Sequence, residues 1–220
     1  MKKPIAVALC ILSFAYCVEA QFPKGSIFIA TTTELNGGVY NNLLTGTGNS
    51  LGWSFISSYS KSGSSTSDKI KERAFNLSPM VGYMFMDNLV TGLNLTIWCY
   101  SEKDSDYTDK YSSFTVGPFV RYYILSTELG GFRIMPYAEA KIIFGNLVEK
   151  YSYTGTDEKY TNGLTIWGIN GGASAMISDC FSLDLIFGFK KYVTNYKEDD
   201  YKDICNVFGF GLGLTVIISK

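Results

Sequence analysis

The segment from Phe208 to Ile218 alternates large apolar residues with glycine or threonine at almost every second position. Because successive side chains of a β-strand point to opposite faces, one face carries the bulky apolar groups and the other carries little side-chain volume. A soluble β-sandwich needs this bulk on the face that packs against its core. A barrel wall instead turns the bulky face to lipid and the small residues to a crowded lumen. The pattern therefore predicts a strand of a transmembrane barrel.

The same alternation returns upstream in segments whose lengths suit tilted membrane strands, which need about 9–11 residues. From residue 49 onward the chain is predicted to form eight strands: 49–60, 73–86, 89–101, 112–125, 131–146, 162–177, 181–193 and 205–219. Short turns are predicted at 87–88, 126–131 and 178–180, and long polar loops at 61–72, 102–111, 146–161 and 194–204. Short turns on one rim and long loops on the other are typical of an outer-membrane barrel whose loops lie outside the cell.

The number of strands depends on the segment 25–34 (GSIFIATTTE), which would be a ninth strand, whereas single-chain bacterial barrels have even counts. Residues 21–48 are therefore predicted to form an N-terminal segment, either an interrupted first strand or a stretch in the lumen or periplasm. The barrel is assigned to residues 49–220. The predicted fold class is an all-β, eight-stranded antiparallel transmembrane up-and-down β-barrel; a ten-stranded barrel, with a further strand within 36–49, is the alternative.

The first residues indicate export. Lys2 and Lys3 precede an apolar run over 5–18, and Val18-Glu19-Ala20 supplies small residues at the cleavage positions before Gln21. This layout predicts a signal peptide over residues 1–20, because the apolar run is too short to span a membrane. The predicted location of the mature chain is the cell outer membrane. Its cysteines, Cys99, Cys180 and Cys205, are odd in number and widely spaced, which indicates neither a disulfide framework nor a zinc site.

Charge placement tests the assignment of the faces independently. Six charged residues within the predicted strands share the face opposite the bulky apolar groups: Arg121, Arg133, Glu139, Lys141, Asp184 and Lys190. Turning the strands over would move them toward lipid, where a Lys or Arg costs roughly 2–4 kcal/mol at the membrane midplane. These residues are therefore predicted to form a lumenal charge network. A structural ion-pair role is favoured over an ion-conducting or catalytic one.

Aromatic residues concentrate beside the connectors. Amphipathic rings at both membrane interfaces are typical of such barrels, whereas ordinary β-propensity explains only some of them. The predicted aromatic girdle consists of Tyr83, Phe85, Trp98, Tyr100, Tyr122 and Tyr192.

The chain contains no histidine, which excludes Ser–His and Cys–His nucleophilic mechanisms and histidine-based metal sites. The acidic residues of 102–106 and 199–200 are interpreted as solvated loop faces rather than as calcium or acid/base sites. Gly209-x-Gly211-x-Gly213 lies within a strand with no helix after it, so a phosphate-binding loop is not indicated. The net charge of -1 gives no basic face for nucleic acid. The chain is therefore predicted not to be an enzyme and to use no cofactor or metal.

Two stretches carry a family resemblance: FNLSPMVGYMFMDNLVTGLNL over 75–95 and FTVGPFVRYYIL over 114–125. They resemble the bacterial outer membrane protein β-barrel domain family, a porin-family group of small barrels similar to the OmpA transmembrane domain. The resemblance covers roughly residues 49–220 and implies an eight-stranded barrel that the barrel assembly machinery inserts. The C-terminal Ile218-Ser219-Lys220 departs from the terminal aromatic residue that such proteins commonly carry.

The predicted function is a structural role in membrane integrity, or surface adhesion and binding through four extracellular loops. An eight-stranded interior is just wide enough for side chains to fill. The alternative is a small porin or transport channel, and a weaker one is a secreted soluble β-protein. The expected partners are outer-membrane lipid and lipopolysaccharide, the assembly machinery during insertion and an unknown extracellular ligand. Nucleic acid is not expected as a partner, and the expected state is a monomer.

Overall fold

The structure is a computed structural model that describes residues 22–34, 51–58, 61–62, 65–66, 70–104, 107–124, 126–153, 156–196 and 201–219. Over 32–34, 51–58, 61–62 and 65–66, and at 70, 72, 74 and 76, the backbone alone is described. None of the described residues belongs to a helix long and apolar enough to cross a membrane.

The described residues form β-strands joined by turns. The strands are β1 (Ile27–Glu34), β2 (Leu51–Ser58), β3 (Lys61–Ser62), β4 (Ser65–Thr66), β5 (Ile70–Leu77), β6 (Pro79–Met86), β7 (Leu89–Lys103), β8 (Tyr107–Tyr123), β9 (Thr127–Leu129), β10 (Phe132–Tyr153), β11 (Thr156–Ser178), β12 (Phe181–Tyr196) and β13 (Tyr201–Ile218).

Antiparallel pairing closes the sheet on itself. Around the ring the order is β1, β6, β7, β8, β10, β11, β12 and β13, and β13 pairs again with β1. Closure removes the unpaired edges that an open sheet would present to other chains. The ring of the described residues thus has eight strands, which confirms the predicted eight-stranded antiparallel barrel; the ten-stranded alternative is wrong for it.

The first position in the wall is shared by two strands. β1 pairs with β6, where Thr31 lies opposite Pro79, and β2 pairs with β5, where Leu51 lies opposite Leu77. β5 and β6 are consecutive and separated only at Ser78, where Pro79 has no N–H to continue the ladder. The wall of the described residues therefore includes β1, which lies in the segment 21–48 for which an interrupted first strand is one of the two predicted alternatives.

The strands are much longer than a membrane crossing requires. β10 has 22 residues and β11 has 23, which is about 70–75 Å of strand. The predicted long loops at 102–111, 146–161 and 194–204 are wrong as loops, because strands occupy most of them. Their Tyr, Thr and Val residues favour strands, and cross-strand pairs such as Tyr107–Tyr153 and Tyr196–Tyr201 extend the ladders.

The two rims differ. At one rim, here called the turn rim, short connections at 87–88, 130–131 and 179–180 join successive strands. Gly130 and Gly131 have φ angles of 60° and 82°, which a side chain would disfavour and a tight hairpin requires. The opposite end, here called the far rim, is formed by the long strand ends.

An apolar belt surrounds the outside of the barrel next to the turn rim. On β13 the unbroken run of outward apolar residues extends from Phe208 to Ile218, and Ile204 lies farther toward the far rim, beyond Asn206. These ten residue steps span about 34 Å of strand, or about 26 Å along the barrel axis at a tilt near 40°. That height matches the band of about 25 Å that transmembrane barrels turn toward lipid. The exposures agree with the outward face predicted from the alternation.

Side chains fill the lumen of the described barrel. The largest buried cluster lies in the half nearer the turn rim and consists of Phe22, Phe28, Ala30, Met80, Met84, Val90, Phe119, Tyr123, Met135, Tyr137, Met176, Ile186 and Ile217. Phe22 precedes β1 and closes this end, because its backbone N–H donates to Asn88 Oδ1 (3.1 Å) and its ring packs edge-on against Tyr123 at 5.0 Å. Cys99, Cys180 and Cys205 are free thiols.

Candidate functional site: a lumenal charge cluster and a tyrosine rim

Arg121 lies at the centre of the lumenal charges. It faces inward from β8, directly opposite Glu139 on β10. Its Nη2 and Nε donate to Glu139 Oε2 at 2.6 and 2.9 Å, and its Nη1 donates to Asp184 Oδ2 at 2.9 Å. Asp184 lies on β12, so the guanidinium connects strands that are not neighbours in the wall. All three residues are buried.

The carboxylates of Glu139 and Asp184 have further hydrogen-bond and ion-pair partners besides Arg121. Asn170 donates to Glu139 Oε1 at 2.9 Å, and the ammonium of Lys141 lies 3.8 Å from the same oxygen. Ser182 donates to Asp184 Oδ1 at 2.9 Å and Thr215 to Asp184 Oδ2 at 2.8 Å. A buried charge costs little only when it is paired and hydrogen-bonded in this way. We call Arg121, Glu139, Lys141 and Asp184 the lumenal charge cluster.

Aromatic rings hold the guanidinium in place. Its central carbon lies 4.1 Å from the ring centre of Tyr137 and 5.0 Å from that of Phe28. Arginine stacks favourably on aromatic faces, and the contact is stronger where water is excluded. Through Phe28 the cluster also contacts β1, so it braces the N-terminal part of the wall against β8, β10 and β12.

The other two predicted lumenal charges lie at different levels. Arg133 is near the turn rim, six residues or about 20 Å of strand from Glu139. Lys190 is a similar distance from Asp184 toward the far rim, where it lines a small cavity with Asn170 and Val207. The structure therefore brings together Arg121, Glu139, Lys141 and Asp184, and places Arg133 and Lys190 elsewhere.

The predicted aromatic girdle is wrong for half of its members. Tyr83 and Phe85 are exposed on the outer face, and Tyr122 is partly buried. Trp98, Tyr100 and Tyr192 are buried in the lumen. The physical reason is the alternation itself, since Ile97 and Phe189 face outward and residues one or three positions along must face inward.

A layer of tyrosines lines the inner face toward the far rim. Rings of Tyr100, Tyr111, Tyr151 and Tyr160 follow one another at 5.9–6.1 Å between centroids. Their hydroxyls meet carboxylates: Tyr100 and Tyr107 donate to Glu102 (3.1 and 2.9 Å), Tyr151 to Glu149 (2.9 Å) and Tyr160 to Glu158 (2.9 Å). We call this layer the tyrosine rim.

Sequence reasoning missed the tyrosine rim because it placed Tyr100 in the aromatic girdle and assigned the other tyrosines of the rim to loops. The signal was present, since Tyr107, Asp109 and Tyr111 repeat with period two, as do Glu149, Tyr151 and Tyr153. Hydrophobicity alone hides such a pattern, because both faces of these strand ends are polar. A period-two search for residue type, rather than for hydrophobicity, would have found it.

The Tyr107–Glu102 contact predicts a pH-dependent change at the far rim. The hydrogen bond to the Glu102 carboxylate, together with desolvation, raises the pKa of Tyr107 from 10.0 to about 12. Because the folded pKa is the higher one, the contact's contribution to stability is fully present below about pH 10 and is lost as the pH rises through 12. Because burial also raises the pKa of Tyr196 to about 12, the test is a difference between variants. Ultraviolet titration of the native chain minus that of Tyr107→Phe should show one tyrosinate ionisation near pH 12. Glu102→Gln should move one ionisation from near pH 12 toward pH 10, and a native-minus-Tyr107→Phe difference centred near pH 10 would contradict the assignment.

Comparison with known proteins finds solved structures that match most of the chain at low sequence identity. No protein-family model and no curated protein sequence matches the chain. Neisserial surface protein A shares 13% identity over 87% of this chain and 94% of its own, with a TM-score of 0.42. Ail, the attachment invasion locus protein of Yersinia pestis, shares 14% identity over 89% and 99%, with a TM-score of 0.38. The translocator domain of the autotransporter NalP from Neisseria meningitidis shares 12% over 96% and 68%, with a TM-score of 0.37.

Proposed function

We propose that the chain is an outer-membrane β-barrel with a closed lumen, and that its role is membrane integrity or surface adhesion and binding through the far rim. The observation that supports this most strongly is the lumenal charge cluster. Arg121 joins β8 to β10 and β12 by contacts of 2.6–2.9 Å, so side chains occupy the barrel cross-section at that level.

The levels on either side of the cluster are also filled. Toward the turn rim lie Met80, Met84 and Met135, fully buried, and then Phe22. Toward the far rim, Ile143, Leu164, Ile166 and Tyr192 form one buried cluster, and Trp98, Tyr100 and Leu147 form another. An open pore needs a continuous wet path, and stacked apolar clusters oppose one.

The long strand ends support a role at the surface. They extend the wall well beyond the apolar belt, and they present tyrosines whose rings and hydroxyls are partly exposed. Tyrosine is enriched in binding surfaces because it supplies a large contact area at a low cost in side-chain entropy. Many cross-strand pairs hold these ends in register, so the surface is preformed rather than ordered on binding.

We propose no catalytic role. The carboxylates of Glu139 and Asp184 each accept three hydrogen bonds, from an arginine and from amide or hydroxyl donors, so both hold the wall together across the lumen. The functions that remain for the lumenal charge cluster are to fix strand register and to occlude the lumen.

Single-channel recording separates the closed barrel from the porin alternative. Chain refolded in detergent should first show a compact unboiled gel band that slows on boiling, which establishes a folded barrel. Inserted into a planar bilayer, that protein should give no stable open state, because its lumen is filled. A long-lived, reproducible conductance from the heat-modifiable protein would contradict the closed barrel and favour a channel.

A further inference from the structure

Cationic residues follow the apolar belt on the outer face of the barrel toward the far rim. Continuing the outward positions beyond Phe75, Ile97, Phe114, Phe144, Trp167, Phe189 and Phe208 leads on each strand to lysine or arginine. We call these residues the basic belt: Lys71, Arg73, Lys103, Lys110, Lys150, Lys159, Lys191 and Lys202.

The carboxylates of the same strand ends take the alternate positions. Glu102, Asp109, Glu149, Glu158 and Asp203 face inward among the tyrosines, and Asp157 is the carboxylate that shares the outward face within the described part of these ends. The described ends of β7, β8, β10, β11 and β13 are therefore acidic inside and basic outside. A random mixture of charges, which would serve solubility alone, does not produce this separation.

The register brings like charges together on the outer face. Lys110 lies directly opposite Lys150, Lys150 lies directly opposite Lys159, and Lys71 lies opposite Lys103. Like charges at such positions destabilise a sheet. No ion pair joins Lys110, Lys150 or Lys159 to a carboxylate of the described residues. Their repulsion would be relieved by an anion that lies between them.

A cleft on the outer wall provides room for such an anion. Its volume is about 310 Å³, and its lining includes Arg73, Lys110 and Lys150 together with Phe75 and Ser112. Three cationic side chains from β5, β8 and β10 thus surround a space whose side toward the apolar belt is aromatic. The occupant that fits this chemistry has a phosphate-like head and an apolar tail.

The basic belt begins near the height of a lipid headgroup and extends beyond it. Lys110 lies four residues beyond Phe114, about 13 Å of strand or about 10 Å along the barrel axis. Lys150 lies six residues beyond Phe144 and Lys159 eight residues beyond Trp167, about 15 and 20 Å along the axis by the same measure. The polar headgroup layer adds about 5–8 Å on each side of the hydrocarbon core. Lysine side chains lie back along apolar surface with their ammonium groups in the polar layer. The ammonium group of Lys110 therefore reaches the headgroup layer although its backbone lies beyond that layer. Lys191 shows this geometry, with its ammonium 5.9 Å from the centre of the Trp167 ring.

We propose that the basic belt binds the phosphate groups of the phosphorylated glycolipid in the outer leaflet, with acyl chains lying against the apolar belt below it. The cleft around Lys110 and Lys150 is the principal site. This inference rests on the proposed placement in the outer membrane and names the lipid partner of that barrel.

The test compares folded proteins that differ only in the basic belt. The full chain and a Lys110→Gln, Lys150→Gln, Lys159→Gln triple variant are refolded in an uncharged detergent and titrated calorimetrically with diphosphorylated lipid A. Each lysine near an anionic surface contributes roughly fivefold in affinity. The triple variant should therefore bind on the order of a hundredfold more weakly. The corresponding triple arginine variant, which keeps the charges, should bind within a fewfold of the native chain.

The controls distinguish binding of the phosphate groups from binding of the rest of the lipid. They also distinguish an effect of the basic belt from an effect of any change in charge on the barrel. Lys24→Gln, an exposed position at the turn rim, should leave the affinity unchanged. Dephosphorylated lipid A should bind as weakly to the native chain as the phosphorylated lipid binds to the triple variant, and inorganic phosphate should not displace bound lipid. Equal binding of the native and triple-glutamine proteins, equal binding of both lipids, or displacement by inorganic phosphate would overturn the proposal. A native chain without a heat-modifiable band would instead contradict the barrel itself.

Discussion

Replacing Arg121 with methionine is expected to lower the free energy of unfolding by about 3–5 kcal/mol, because it removes one partner of a buried ion-pair network. The carboxylates of Glu139 and Asp184 would remain in the lumen without the cation that lies 2.6 and 2.9 Å from them. Their like charges would then repel one another with no solvent to screen them. Equilibrium unfolding by urea of the barrel folded in detergent or lipid measures the loss.

A rescue variant tests whether the uncompensated charges are the cause. Arg121→Met combined with Glu139→Gln, Asp184→Asn and Lys141→Met removes all four charges of the cluster together and should recover most of the lost stability, as replacement of whole buried ion networks often does. Lys110→Met, which removes an exposed cation from the outer face, should change stability by less than about 0.5 kcal/mol. If Arg121→Met behaves like Lys110→Met, the cluster does not stabilise the barrel.

The parts of the fold that could be predicted are those that the period-two pattern determines. The strand from Phe208 to Ile218 was assigned to the correct face because bulk alternates with glycine there. The inward positions of Arg121, Glu139 and Asp184 followed from the same rule. That these three residues meet did not follow, because β8 and β12 come together only through the closure and tilt of the barrel, which no local pattern encodes.

The polar strand ends and the positions of two aromatic residues could not be predicted, because hydrophobicity and position along the strand do not determine them. The strand ends within 102–111, 146–161 and 194–204 are predicted as loops, since polar residues on both faces remove the hydrophobic alternation that marks a strand. Trp98 and Tyr100 were placed at the membrane interface from their position near a strand end, although their parity places them in the lumen. For an aromatic residue, the alternation along the strand therefore has to decide first whether the ring faces lipid or lumen. Only then can its position near a strand end place it at the membrane interface.

Gly117 marks a place where the backbones of β8 and β10 approach closely. A Cβ added there would collide with the carbonyl oxygen of Ile142 and with Cα of Ile143. The ladder between the two strands is interrupted at this level, since Lys141 pairs with Phe119 and the next pair is Phe144 with Val116. Both colliding atoms belong to the backbone, so no side-chain rotation can relieve the contact.

Gly117→Ala is therefore expected to lower the free energy of unfolding by about 2–3 kcal/mol, within the range for overpacking a filled interior. The matched control is Gly163→Ala on β11, because a Cβ at Gly163 would meet Asn195 only at 3.8 Å, an ordinary contact. That substitution should leave stability unchanged or raise it by up to about 1 kcal/mol, since alanine loses less backbone entropy than glycine on folding. Urea unfolding of both variants, with the fraction of heat-modifiable band as a second readout, gives the comparison. If Gly117→Ala and Gly163→Ala were equally stable, β8 and β10 could separate at Gly117 without cost in free energy. The close approach of their backbones would then not constrain the barrel.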